Sequence, residues 1–376
     1  HVVTRRQRQM CIRDSFNSSY PDGAFIPGGD IAFGGNPTAA DLSSLVVVGE
    51  TNRVVIVQAD DCPDRNSLEN AQLYVNGTIA DELPDTTYFV DANATGVGNG
   101  SSWTNAFTTL QDALAIVSDG DEVWVAQGIY YPDEGGEQND NDRAASFIIP
   151  AGVALYGGFA GNETSLTGRD WQTKVTVLSG DIEQDDESGA TGVIASTSDI
   201  SGGNSYHVVY LDGSPEAGAP VLATTIIDGF VITGGQADGT AIPDGAGGGL
   251  FCNGANGGEC SPTIRNLTFS GNMAQSFGGG MCNDGAGGNS SPSLINVIFR
   301  GNSAEEGGAI HNNGSQGGTS TPSLLNVTFS GNVATFGGGI YNAGDEGTSS
   351  PTITNGTWSG NVASERAFAH SDNPAA

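Results

Sequence analysis

Between residues 226 and 364 apolar side chains alternate with polar ones for only a few positions before glycine, asparagine, serine or proline intervenes. Leu267 and Phe269, Val297 and Phe299, and Val327 and Phe329 are the apolar members of three such runs. A period of two over so short a span predicts strands, and the punctuation between them predicts tight turns. The runs also repeat. Ser-Pro-Thr-Ile-Arg-Asn-Leu-Thr-Phe-Ser-Gly-Asn at 261–272 returns in altered form at 291–302, 321–332 and 350–361, with Trp358 in place of the phenylalanine. All but the last copy lead into a glycine run with an apolar residue, as in Gly278-Gly279-Gly280-Met281. A period of about thirty residues, too short and too β-rich for paired helices, means one supersecondary unit stacked on the next.

The expected object is a parallel β-helix, one coil per repeat, with coils ~4.8 Å apart. Phe269, Phe299, Phe329 and Trp358 would then form one inward column. Asn266, Asn296, Asn326 and Asn355 would form a second, because asparagine tolerates the left-handed backbone of a sharp corner and its amide can bond to the coils above and below. Asn272, Asn302, Asn332 and Asn361 form a third.

Upstream the pattern loosens. Ile227–Gly235 aligns with Ile264–Asn272 and reads as a degenerate first repeat carrying a longer loop. Strands are expected at 120–125, 128–130, 147–149, 153–156, 175–178, 206–211 and 221–227, in a stretch of irregular early coils covering 132–225. Over 88–131, Leu110, Ala113, Leu114 and Val117 have helical spacing after Thr109, with Asp112 placed for a capping box. Such an amphipathic helix would cover the open end of the coil stack. Coils of 25–30 residues predict about nine to eleven of them between Tyr88 and Asn361. Residues 16–87 form a separate β-rich region, with a hairpin expected from 45–48 and 53–58 about Gly49–Asn52. Residues 1–15 stand apart: they are basic, and Met10-Cys11-Ile12-Arg13-Asp14-Ser15 reads as the conceptual translation of a sequencing adapter. Residues 365–376 break the repeat and read as a degenerate or truncated tail.

Two of these motifs resemble a known family. Phe299-Arg-Gly-Asn302 fits the Phe-x-x-Asn repeat, and Gly307-Gly308-Ala309-Ile310 the Gly-Gly-Ala-Ile repeat, of the polymorphic outer-membrane proteins. The resemblance implies an all-β, right-handed parallel β-helix displayed on or beyond a bacterial outer membrane, in roles of adhesion and surface presentation, and brings no catalytic residues. The helix-bearing segment at 88–131 resembles the N-terminal cap of pectate-lyase-like β-helix proteins.

Composition narrows the partners. Of 376 residues 58 are glycine, and the formal net charge is −31. That bias argues against nucleic acid or an anionic membrane as partner and leaves a host or neighbouring-cell surface, or a polysaccharide. No run is long enough for a transmembrane helix. The acidic loops at 133–142 and 181–187 offer hard oxygen donors. Asp181, Glu183, Asp185 and Asp186 are therefore the candidate Ca²⁺ ligands, with a solvated acidic loop as the simpler reading. A carbohydrate-active enzyme is the rival to a noncatalytic role. Its site would lie between Lys174 and Glu187, with Lys174, Asp185 and Asp186 as the reacting groups and Arg169 nearby. Against it, adjacent strand residues such as Asp185 and Asp186 would face opposite ways. His311 shares its repeat position with Cys282 and Tyr341, which suits a packing slot better than a metal ligand. Cys252 and Cys260 could close a disulfide around a short loop. A bridge from Cys252 to Cys282, one coil on, and free buried thiols are the alternatives.

Overall fold

The computed structural model describes residues 86–365 throughout and, ahead of them, five strands: Met10–Ser15, Ala24–Pro27, Arg53–Gln58, Tyr74–Val75 and Thr78–Ile79. The chain divides into two compact units, His1–Leu83 and Pro84–Ala376. In the first, Met10–Ser15 pairs antiparallel with Ala24–Pro27 on one side and with Arg53–Gln58 on the other. The expected hairpin partner at 45–48 lies outside the described residues, as does the tail from 366 onward.

The second unit is a parallel β-helix. Its longest sheet, sheet I, holds eight strands in chain order: Thr87–Val90, Glu122–Ala126, Ala154–Phe159, Ile226–Asp228, Thr263–Arg265, Ser293–Ile295, Ser323–Leu325 and Thr352–Thr354. Sheet II has seven strands, from Gly128–Tyr130 to Thr357–Ser359, and sheet III six, from Phe147–Ile148 to Ile340–Ala343. Sheet IV has five short strands, from Gln236–Ala237 to Val362–Ala363. Every pairing in these sheets is parallel, and a repeat coil visits them in the order I, II, IV, III. The registers hold the aligned positions: Ile227 pairs with Ile264, and Phe269 with Phe299, Phe299 with Phe329, Phe329 with Trp358.

Eight coils are therefore present among the described residues, fewer than the nine to eleven expected from length. The difference lies at 160–225, where two excursions separate Ala154–Phe159 from the next strand of sheet I at Ile226–Asp228. One excursion, 160–175, leaves the corner between sheets I and II. The other, 180–208, leaves the corner beyond Thr176–Ser179.

The interior is one continuous apolar column. Phe269 and Phe299 stack with centroids 4.7 Å apart, Phe299 and Phe329 at 5.4 Å, and Phe329 and Trp358 at 4.2 Å. The three phenylalanines are fully buried, whereas Trp358 in the last coil is half exposed. Burying each phenylalanine contributes roughly 1.5–3 kcal/mol. Close coil spacing explains the glycine runs: a Cβ on Gly280 would lie 2.8 Å from the carbonyl oxygen of Ala309 in the next coil. The helix is short, Leu110–Leu114, with the Thr109 hydroxyl accepting from the Asp112 amide. It follows the first strand of sheet I. Its Leu110, Ala113 and Leu114, with Val117 beyond, join the same interior cluster as Val90 and Val123.

Candidate functional site

Most of the side chains singled out by the repeat serve the coil itself. Asn266, Asn296, Asn326 and Asn355 all adopt φ of 56–57° at the corner between sheets I and II. Each later member donates Nδ2–H to the Oδ1 of the one before, at 3.0–3.1 Å. The second column is buried. Asn302 Oδ1 accepts from both the backbone N and the Nδ2 of Asn272, while its own Nδ2 donates to Phe269 O and Asn332 Oδ1. A third ladder, Asn283 to Asn312 to Asn342, runs inside sheet III with 2.8 Å bonds. Sequence reading missed it because Cys252 occupies the preceding register position and breaks the column.

At the end of sheet III a further column alternates in charge. Asp212, Asn253, Asp284 and Asn313 stand in register. Each Oδ1 accepts the amide two residues on, closing an Asx turn, and each asparagine Nδ2 donates to the aspartate before it. Stacked carboxylates would repel one another across ~4.8 Å, and the interposed amides remove that repulsion. Cys252 and Cys260 are disulfide-bonded, and Cys282 is a free, buried thiol. His311 is sandwiched between Phe277 at 4.6 Å and Tyr341 at 5.5 Å, in a packing slot.

The acidic residues do gather. Carboxylate oxygens of Asp181, Asp185 and Asp186 lie within 4.8 Å of one another. Asp185 and Asp186 are not on a strand, contrary to the expectation that they face opposite ways. They lie in a turn folded over Asp181, whose two oxygens accept their backbone amides at 3.0 and 3.3 Å. Asp186 is anchored by Ser201 N at 2.6 Å and Asn204 Nδ2 at 2.7 Å. Burial, reinforced by Asp181 and Asp185, pushes the Asp186 carboxyl up to about 6. Burial also raises Asp181. The second acidic loop meets the first: Gln184 Nε2 donates to Glu134 Oε1 at 3.4 Å. Tyr131 is pushed up to about 12 by burial and by carboxylates of both loops, Asp181, Glu134, Asp133 and Asp186. Glu183 is not one of the three clustered residues, although its Oε2 borders Gly202 together with both carboxylate oxygens of Asp185. As donors, three clustered carboxylates are of the oxygen type Ca²⁺ takes.

Two of the basic groups weighed for a lyase-like site are placed by the structure. Lys174 and Asp181 flank opposite ends of the strand Thr176–Ser179, which alone spans roughly 10 Å. Arg169, expected near the acidic loop, is instead bound to the buried Asp228 of sheet I, at 2.5 Å. Arg265 reaches the same oxygen at 2.6 Å, and Asn266 Nδ2 the other at 2.8 Å. Asp228 had a signal in the sequence, since aligning Ile227 with Ile264 sets it opposite Arg265. Arg143 is held by Asn204 O and Asp238, and Arg300 by Ser270 Oγ. Within residues 86–365 the arginines, Arg143, Arg169, Arg265 and Arg300, are thus each engaged within the coil stack.

Fold and columns together define the class: a parallel β-helix whose regular coils are maintained by inward asparagine and aromatic ladders. Two successive coils carry a known signature. The family model of the Chlamydia polymorphic membrane protein (Chlamydia_PMP) repeat matches residues 296–313 and again 326–343. Each match runs from a corner asparagine to the end of a sheet III strand. The resemblance read from Phe299–Asn302 and Gly307–Ile310 is borne out. No curated protein and no solved structure matches the chain.

Proposed function

We propose that this chain is a noncatalytic β-helix presented on the outer surface of a bacterial cell, where its long solvent face serves adhesion or surface structure. The observation that carries this reading is the tandem match to the Chlamydia polymorphic membrane protein repeat over residues 296–313 and 326–343. The repeat's recurring polar residues are engaged in the ladders, leaving variation to the outward positions and loops. The Cys252–Cys260 disulfide suits an oxidising, exported setting, and a net charge of −31 keeps an extended repetitive surface soluble. The rival enzyme at Lys174–Glu187 draws no support from the separated ends of Thr176–Ser179.

Antibody labelling of intact cells of the source is the test. Labelling without permeabilisation is expected, and labelling only after permeabilisation overturns the reading. Adhesion is tested with beads coated in purified chain. Capture should weaken stepwise as coils are removed, rather than vanish on a single substitution.

The same proposal gives the Asp181, Asp185 and Asp186 group a stabilising role with Ca²⁺, measured as Tm with millimolar Ca²⁺ against chelator. A rise in Tm that Asp185→Asn abolishes is expected, and equal Tm in both media refutes it.

A further inference from the structure

The excursion at 160–175 returns to the coil beneath Trp171, and the corner between sheets I and II opens there into a cleft of about 280 Å³. Trp171, Gln172, Val175, Phe230, Asn266 and Thr268 contribute to its lining. Three of the four tryptophans pack against another aromatic ring; among the described residues Trp171 has no such partner. It is half buried, and its placement is built into the coil: a Cβ on Gly158 would lie 2.5 Å from Trp171 Cα, and Asp170 N donates to Gly158 O at 2.8 Å. Gln172 is exposed. Its backbone N donates to Asp170 Oδ1, but neither its side-chain amide nor the Thr268 hydroxyl makes a hydrogen bond to the described residues.

We propose that this cleft is a binding subsite for one ring of a neutral glycan. The inference rests on the surface-display reading and names its partner class. A pyranose presents an apolar C–H face with hydroxyls around its rim. A free indole face bordered by an amide and a hydroxyl is complementary to both parts. The volume falls just below the roughly 300 Å³ at which small-molecule pockets begin, which suits a single ring rather than a whole oligosaccharide. The rest of the glycan has a path along the corner. There the ladder Asn266, Asn296, Asn326, Asn355 runs beside Thr268, Ile298, Thr328 and Thr357 in register on sheet II. A net charge of −31 disfavours a polyanionic glycan.

Titration calorimetry on the full chain tests this with hexamers of β-1,4-glucan, α-1,4-glucan and β-1,4-mannan, and with hexagalacturonate as the charged control. At least one neutral hexamer is expected to bind. Trp171→Ala should weaken it by about tenfold or more, and Trp171→Phe, which keeps an aromatic face, by only about threefold. Lys174→Ala, two residues beyond Gln172, should change nothing. Three results overturn the proposal: no binding of any neutral hexamer, binding that survives Trp171→Ala, or preferred binding of hexagalacturonate that Lys174→Ala abolishes. Equal thermal melts of the two Trp171 variants and the parent exclude a folding defect. Cell-surface labelling is independent of these outcomes, so the display reading and the glycan subsite can fail separately.

Discussion

Asn296 and Asn302 stand six positions apart in one repeat, yet their substitutions should differ in cost. Asn302 is fully buried and joins four polar groups of neighbouring coils. Asn302→Ala strands those groups without water, and we expect a loss of about 3–4 kcal/mol in chemical denaturation. Asn296 is exposed at φ 56°. Asn296→Ala should cost about 1–2 kcal/mol, mostly from the left-handed backbone, and Asn296→Gly less, because glycine adopts that conformation freely. An equal loss at both sites would mean that the buried ladder carries no special weight. Asp186 gives a pH dependence at the same scale. Its folded value of about 6 lies above the ordinary 3.8, so the folded state holds the proton more tightly than the unfolded chain. Its effect is therefore destabilising as pH rises from about 4 to 6, and constant above, amounting to about 1 kcal/mol once solvent screening of a half-buried group is allowed for. Asp185→Asn removes a neighbouring charge that raises both Asp181 and Asp186. It should lower the Asp186 titration midpoint, read by NMR, and raise stability at pH 7.

Among the elements, the 180–208 excursion carries consequences out of proportion to its lack of strands. It lies across three coils. Ile194 N donates to Thr233 Oγ1 at 2.9 Å, Ser270 Oγ donates to Ile194 O at 2.6 Å, and Ser303 Oγ donates to Thr197 Oγ1 at 3.3 Å. Ile194 is fully buried, so Ile194→Ala should cost about 2–4 kcal/mol and make the excursion the first site of limited proteolysis. Unchanged cleavage would show that the polar contacts suffice. Reduction of Cys252–Cys260, eight residues apart, should cost about 2 kcal/mol through the loop entropy regained on unfolding. None of the contacts of the excursion was legible in the sequence. The regular coils were legible because a fixed period places Phe269, Phe299 and Phe329 on one line, and stacking then follows from spacing alone. Between 160 and 225 no period exists. The meeting of Gln184 with Glu134, fifty positions apart, depends on how two irregular loops fold back, and side-chain chemistry alone does not specify that. Asp228 lies between these cases: its register with Arg265 was readable, but its pairing with Arg169 was not.

As a whole molecule the β-helix is nearly one-dimensional, each coil touching chiefly its neighbours. Stability then adds coil by coil, and unfolding need not be all-or-none. Circular dichroism and hydrogen exchange should resolve more than one transition, with the last coils, where Ile353, Trp358 and Val362 are exposed, opening first. Deleting residues 293–322, one full coil, should leave a folded and shorter helix, whereas deleting half that length should not.

The Asp212, Asn253, Asp284, Asn313 column makes this modularity less simple than the thirty-residue period suggests. Over these four coils an anionic position alternates with a neutral one, and Ala343 ends the column in the next coil. Excising the coil that carries Asn253 would set Asp212 directly against Asp284, whereas excising two adjacent coils preserves the alternation. A lineage of such proteins that grows or shrinks by duplication and loss would meet this constraint wherever a step brings two aspartates into adjacent coils. Along this edge, loss of the coil that carries Asn253 requires a compensating exchange of aspartate for asparagine, whereas loss of the coil that carries Asp284 or Asn313 does not.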